Sequence, residues 1–234
     1  MYKDPLSGYS HTGAVITGGT NGNLGPIMAQ ALRDIGMIVY SLDLPEYDVR
    51  KSDDIRKFII SCEIGPVLLI NNAAIDNPPS GNGGFWEKWD EIIDVNLRGT
   101  KLCTQIIGRQ MRANGGGLVI NVGSIMADCA ANWHNYPEGF DKPVGYGMSK
   151  AACEPLVRNI TARYSILGLR ACTIAFGPVD TGKFTEPFKS KILKSLPLGR
   201  FVSPQSVVET LFYAMRCPEF AGQKVLCDAG YECR

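Results

Sequence analysis

Short, largely apolar runs alternating with longer amphipathic stretches are what most restrict the fold of this chain. The runs are GAVIT (13–17), MIVYSLD (37–43), VLLINNA (67–73), LVINVGS (118–124), RACTIAF (170–176) and KVLCDAG (224–230). Such runs read as strands covered on both faces, as parallel strands are. Between them, residues 26–35, 53–62, 85–113, 144–168 and 204–215 read as helices. In the first, Ile27, Met28, Ala31, Leu32 and Ile35 recur at helical spacing. Pro26 suits its opening turn and Gly36 its C-terminal cap. A very short third strand is expected at 47–49. Breaks are expected in the 85–113 helix, and an interruption or kink at Pro155 in the 144–168 helix. Strand following helix throughout predicts an α/β fold. It is one open, doubly wound parallel sheet of about seven strands with helices on both faces, a single domain over 1–234.

Composition removes several functions. The 234 residues carry 24 Lys+Arg against 23 Asp+Glu, a net charge of +1. With no long run of like charge, no nucleic-acid partner is expected. No apolar run approaches the roughly 20 residues of a membrane span, and residues 1–13 lack the apolar core of a signal peptide. A cytoplasmic protein without membrane contact is expected. Eight cysteines occur without a C-x-x-C pair and beside only two histidines, so no metal site is expected. The cysteines read as small buried hydrophobes in a reducing compartment.

In such sheets, ligands bind beyond the carboxyl ends of the strands. The first strand runs into Thr17-Gly18-Gly19-Thr20-Asn21-Gly22-Asn23-Leu24-Gly25 and then a helix. Glycines let the backbone approach a pyrophosphate, which the helix N-terminus favours. Asp43 ends the second strand. There it either accepts hydrogen bonds from both adenosine-ribose hydroxyls, excluding a 2′-phosphate, or merely begins a turn. Since residues 17–25 hold no Arg or Lys, NAD(H) is favoured over NADP(H). Tyr146 and Lys150 are four apart on one helix and share a face. A lysine ammonium and an oxidised nicotinamide both favour a phenolate, so Tyr146 can exchange a proton with a hydroxyl or carbonyl. Ser124, at the end of a strand, can bind the same oxygen. Asn96 lies inside the long helix, either anchoring a water that leads from Lys150 or simply facing solvent.

Taken together, these residues resemble the short-chain dehydrogenase/reductase family along nearly the whole chain. The glycine loop, Asn71-Asn72-Ala73-Ala74, Asn96, Ser124, Tyr146/Lys150, Gly177-Pro178-Val179-Asp180-Thr181 and Asp228-Ala229-Gly230 fall in the family's order. The resemblance implies a Rossmann fold and hydride transfer between nicotinamide and an alcohol or ketone. It implies Tyr146 as general acid/base, Ser124 polarising the substrate oxygen, and Lys150 holding the nicotinamide ribose and lowering the Tyr146 pKa. Asn96 would maintain a relay water. The loop Gly18, Thr20, Asn21, Gly22, Asn23, Leu24 and Gly25 would hold the cofactor with Asp43, Asn72, Ala73 and Ala74. Asp48-Val49 would lie beside the adenine, while the backbone of Val179 and the hydroxyl of Thr181 would meet the carboxamide, with Gly177 in the same turn also against the cofactor.

The departures are specific. Gly22 and Gly25 are one residue further apart than in the usual motif. Too few residues separate Asp43 from Asp48 for a helix, so a more open adenine pocket is expected. Ser124 and Tyr146 lie 22 positions apart, a long gap. The segment 125–143 carries Trp133, His134 and Tyr136. These aromatics either bind substrate or pack upon themselves in a surface loop. A lid is expected at 183–200, with Phe184 toward substrate. A small alcohol or ketone substrate and a homodimer or homotetramer complete the expectation. The alternatives are a silent NAD(H)-binding sensor or scaffold, and a sugar-nucleotide-modifying relative from surface-polysaccharide biosynthesis. The latter draws on NNAAID (71–76) and the long loop. An epimerase with a separate substrate domain does not fit the 53 residues after Thr181.

Overall fold

In the computed structural model, which describes residues 5–76, 84–184 and 186–233, the apolar runs become strands of one sheet. They are β1 (Gly13–Thr17), β2 (Ile38–Leu42), β3 (Pro66–Asn71), β4 (Gly117–Ser124), β5 (Leu169–Phe176) and β6 (Lys224–Cys227). Their order is β2-β1-β3-β4-β5-β6, and every pairing is parallel. The helices are α1 (Gly25–Asp34), α2 (Ser52–Ser61), α3 (Trp89–Ile92), α4 (Thr100–Ala113), α5 (Val144–Tyr164), α6 (Phe188–Lys194) and α7 (Pro204–Arg216). This is a single α/β Rossmann-like domain.

Period-two alternation explains why the strands are apolar throughout. Ala14 and Ile16 face one layer, where Met28 and Leu32 of α1 and Val207 and Leu211 of α7 pack. Val15 faces the other, with Ile55 of α2, Ile107 and Met111 of α4, and Val157 of α5. Burial of these side chains, worth about 1.5–3 kcal/mol each, fixes the register. Ile106 and Leu156, partly buried, also pack against this second layer.

Three expectations change. Residues 47–49 form no strand, and the sheet ends at β2. Asp48 turns the chain instead. Its carboxylate accepts from the Arg50 backbone at 2.9 Å and side chain at 2.7 Å, and its carbonyl accepts from Lys51 N–H at 3.0 Å. The α5 helix runs through Pro155 without interruption, because Cys153, Val157 and Ile160 are buried on the sheet and outweigh one lost hydrogen bond. Among the cysteines, only Cys103, Cys153 and Cys172 are buried.

The expected break in the long helix is real. Residues Ile93–Gly99 form a π-helical stretch between α3 and α4, with Asn96 inside it. Successive strands diverge to opposite sides of β1, toward β2 and β3. The crevice between the ends of β1 and β3 is therefore the topological switch point of the sheet. Among the described residues, no helix is long and apolar enough to cross a membrane.

Candidate active site

A cleft of about 540 Å³ opens at this switch point. The Thr17 hydroxyl ties the two strand ends by accepting from the backbone N–H of Asn72 at 3.0 Å and Ala73 at 2.9 Å. From the other side, the Asn72 amide donates to the carbonyls of Thr17 at 3.1 Å and Gly18 at 2.9 Å. The glycine loop is packed to its limit. A Cβ on Gly25 would lie 1.8 Å from the Gly18 carbonyl oxygen. Gly22, at φ +100°, takes up the additional residue of the loop and leaves open space before it. No side chain caps α1 at Leu24, so the N–H groups of its first turn remain for an anion. The Asp43 carboxylate accepts the Thr20 N–H at 2.8 Å, and so buttresses the loop as well as lining the cleft.

At the other end, β4 and α5 deliver the chemistry. Ser124 is buried at the last position of β4, where its hydroxyl accepts the Met126 N–H at 3.2 Å and lies near enough to Tyr146 to favour the phenolate. Lys150 is buried one turn beyond Tyr146, and its ammonium donates to the Val122 carbonyl at 2.9 Å. Burial pushes the Tyr146 phenol up to about 12; the Asp76 carboxylate adds to this, and the Ser124 hydrogen bond opposes it. Burial likewise lowers the Lys150 pKa. The lowering of Tyr146 that the resemblance implied for Lys150 is not seen in this arrangement, where desolvation dominates.

Asn96 does not face solvent. It is 2% exposed, and its amide clamps the backbone of Ile75. The Ile75 N–H donates to its oxygen at 2.8 Å, while its nitrogen donates to the Ile75 carbonyl at 3.0 Å and to Ser149 Oγ at 3.1 Å. The main-chain carbonyl of Asn96 accepts from Thr100 Oγ1 at 2.7 Å.

The 125–143 segment packs partly on itself and partly on the lid. Tyr136 stacks on Phe140 at 5.2 Å and meets Phe188 of α6 at 5.1 Å. Phe188 continues to Phe184, and Phe184 to Phe201. Trp133 and His134 are exposed. Trp133 contacts Phe85 and Tyr136.

Of the residues singled out in the sequence, Gly18, Asn21, Gly22, Asn23, Leu24, Asp43, Asp48, Val49, Asn72, Ala73, Ala74, Tyr146 and Lys150 line the cleft. Thr20 and Gly25 support its floor as described, and Ser124 borders it through Tyr146. Gly177, Val179 and Thr181 follow β5. There Gly177 N–H donates to Cys227 O at 3.0 Å, and Val179 bridges Val202, outside the lining of the cleft. Tyr47, Arg50, Asp76 and Glu91 line it too, without any local motif to announce them. Lys183, from the lid, donates to the Gly22 carbonyl at 2.9 Å across the mouth. These residues come together only through the tertiary fold.

A doubly wound sheet, a glycine-rich turn at its switch point and a Ser–Tyr–Lys group on β4 and α5 define a class of protein. The chain belongs to the short-chain dehydrogenase/reductase family. A family model described as enoyl-(acyl carrier protein) reductase matches residues 28–232. An NAD-dependent glycerol dehydrogenase of Listeria innocua is 27% identical, over 93% of this chain and 92% of its own length. A gluconate 5-dehydrogenase from Burkholderia cenocepacia, solved with NADP and tartrate, has a TM-score of 0.81 at 20% identity, covering 99% of this chain and 100% of its own. A short-chain dehydrogenase from Leptospira borgpetersenii, solved with bound NAD+, has a TM-score of 0.83 at 23% identity, covering 99% and 97%.

Proposed function

We propose that this chain is an NAD(H)-dependent oxidoreductase that interconverts a secondary alcohol and its ketone. The observation that carries the reading is the Ser124–Tyr146–Lys150 group at one end of a cleft whose other end is the glycine loop and Asp43. A dinucleotide fits the residues present. The uncapped start of α1 and the open face of Gly22 suit a pyrophosphate, and Asp43 suits ribose hydroxyls. Arg50 is the cation at the adenine end, but Asp48 holds it at 2.7 Å, so it is a poor anchor for a 2′-phosphate. The Listeria relative's name carries NAD, which agrees with this preference.

When bound, nicotinamide supplies the carbon that accepts or donates hydride, and in its oxidised form a positive charge. In the oxidative direction, Tyr146 would remove the proton from the substrate hydroxyl as a hydride leaves the carbon that bears it. Ser124 donates a hydrogen bond to the oxygen that becomes the carbonyl. Lys150, fixed on Val122, keeps a positive charge beside the phenol and holds the cofactor ribose. Reduction is the reverse, with Tyr146 as the acid.

Replacing Tyr146 by Phe tests this. Turnover is expected to fall by about 10²–10⁴-fold, the usual worth of one general acid/base, while NADH still binds. Full activity in that variant would remove the assignment. A wild-type preference for NADP+ over NAD+ in kcat/KM would overturn the cofactor reading.

A further inference from the structure

We propose that Asp76 and Lys142 form a second recognition element of the reaction centre, which takes the hydroxyl on the carbon next to the reacting one. The substrate is then a vicinal diol or an α-hydroxy ketone rather than a simple alcohol. The inference rests on the oxidoreductase reading above.

Asp76 follows the β3 end and lines the cleft with Tyr146 and Lys150. Its backbone is fixed from below, since the preceding residue, Ile75, is held at both N–H and C=O by the buried Asn96 amide. Lys142 comes from the loop before α5 and forms an ion pair with Asp76. Its ammonium sits 4.9 Å from the centroid of the Tyr146 ring. The pair is open to solvent on the Asp76 side, with side chains 14% exposed for Lys142 and 32% for Asp76.

The position of this carboxylate is costly for a plain alcohol dehydrogenase. The groups around the Tyr146 phenol are Ser124, Lys150, Lys142, Asp76 and Tyr136. Asp76 is the one carboxylate among them, and it opposes the ionisation the reaction needs. A substrate hydroxyl donating to Asp76 offsets that cost, and it does so only for substrates that carry one. Lys142 has three N–H donors, so it can hold Asp76 and still meet an acceptor oxygen. Carboxylate and ammonium beside aromatic faces match a small, hydroxyl-rich molecule.

The test compares matched substrates, 2,3-butanediol with 2-butanol and 1,2-propanediol with 2-propanol, in kcat/KM with NAD+. Calorimetric titration of the same alcohols onto the enzyme–NAD+ complex accompanies it. The wild type is expected to favour each diol about tenfold or more, the usual effect of one hydrogen bond to a charged group. Asp76→Ala is expected to collapse that ratio mainly through the KM of the diol, and Lys142→Arg to retain most of it. A wild type with no diol preference overturns the proposal, whether or not the variants fold. So does an Asp76→Ala enzyme that keeps the preference. Failure of the wild type to bind or turn over any alcohol in either series would instead remove the oxidoreductase reading beneath it.

Discussion

Replacing Asn96 by Ala separates two roles for that residue, a relay anchor and a structural clamp. Its side-chain amide makes three hydrogen bonds, two to the Ile75 backbone and one to Ser149. Truncation leaves the Ile75 N–H and C=O without those partners. Each loss costs about 1 kcal/mol, at the low end for buried groups because Ile75 is only half buried. Emptying the space of a side chain 2% exposed adds a similar amount. The expected loss is about 3 kcal/mol, which for a domain of this size lowers Tm by about 6–12 °C. The bonds from Thr100 and Cys153 go to the main-chain carbonyl and survive the substitution. Urea denaturation with paired thermal melts measures the effect. An Asn96→Ala protein that melts within 2 °C of wild type, yet has lost turnover, would refute the clamp and favour a purely catalytic role.

Other substitutions address the rest of the site. Gly25→Ala would place a Cβ 1.8 Å from the Gly18 oxygen and 2.9 Å from Asn72 Nδ2. NADH affinity in fluorescence titration is expected to fall at least about tenfold, and an unchanged titration would mean the loop is not the phosphate cradle. Gly99→Ala would press a Cβ to 2.8 Å from Val49 Cγ2, so cofactor affinity should drop and Val49→Ala should restore it. Failure of that rescue would break the link between the two positions. Because Tyr146 is pushed up to about 12 and must be deprotonated to act as base, alcohol oxidation is expected to rise with pH across the neutral to mildly alkaline range. Asp76→Asn, which removes a neighbouring negative charge, should move that limb to lower pH, and an alkaline shift would contradict the electrostatics. Asp48 is held below the ordinary carboxylate range, first by the Arg50 side-chain hydrogen bond. Its stabilising contribution is therefore present above the unfolded value near pH 4 and lost as pH falls through the lower folded value. Asp48→Asn should cost about 1 kcal/mol at pH 7, discounted because Arg50 is partly exposed, and much less at pH 2–3 in urea titrations.

What could be read in the sequence was what local pattern encodes. Strands buried on both faces leave unbroken apolar runs, so β1 and β3 through β5 were plain in GAVIT, VLLINNA, LVINVGS and RACTIAF. The glycine loop and the Tyr146/Lys150 spacing were legible because both are local geometry. The strand expected at 47–49 fails because Asp48 spends its hydrogen-bonding capacity on the Arg50 turn. Pro155 misleads because tertiary burial of α5 outweighs propensity. Asp76 and Lys142 are 66 positions apart, and Lys183 is 161 from Gly22. No spacing rule relates such residues; only the closure of loops over the sheet brings them together.

The shortened sheet and the substrate end are connected through one irregular segment. With no further strand beyond β2 among the described residues, residues 43–51 fold back and place Tyr47, Asp48, Val49 and Arg50 in the cleft wall. Tyr47 packs edge-on against Phe58 at 5.2 Å, and Val49 fits against Gly99, where a larger residue would collide. Gly99 closes the same π-helical stretch that carries Asn96. One residue of that stretch therefore admits the adenine-end turn, and another, three positions earlier, holds Ile75 and hence Asp76 at the substrate end. Regular α-helix through Ile93–Gly99 would rotate these two residues relative to one another, since a π turn adds a residue to the cycle. The irregularity is what lets a single short element serve both ends of the cleft.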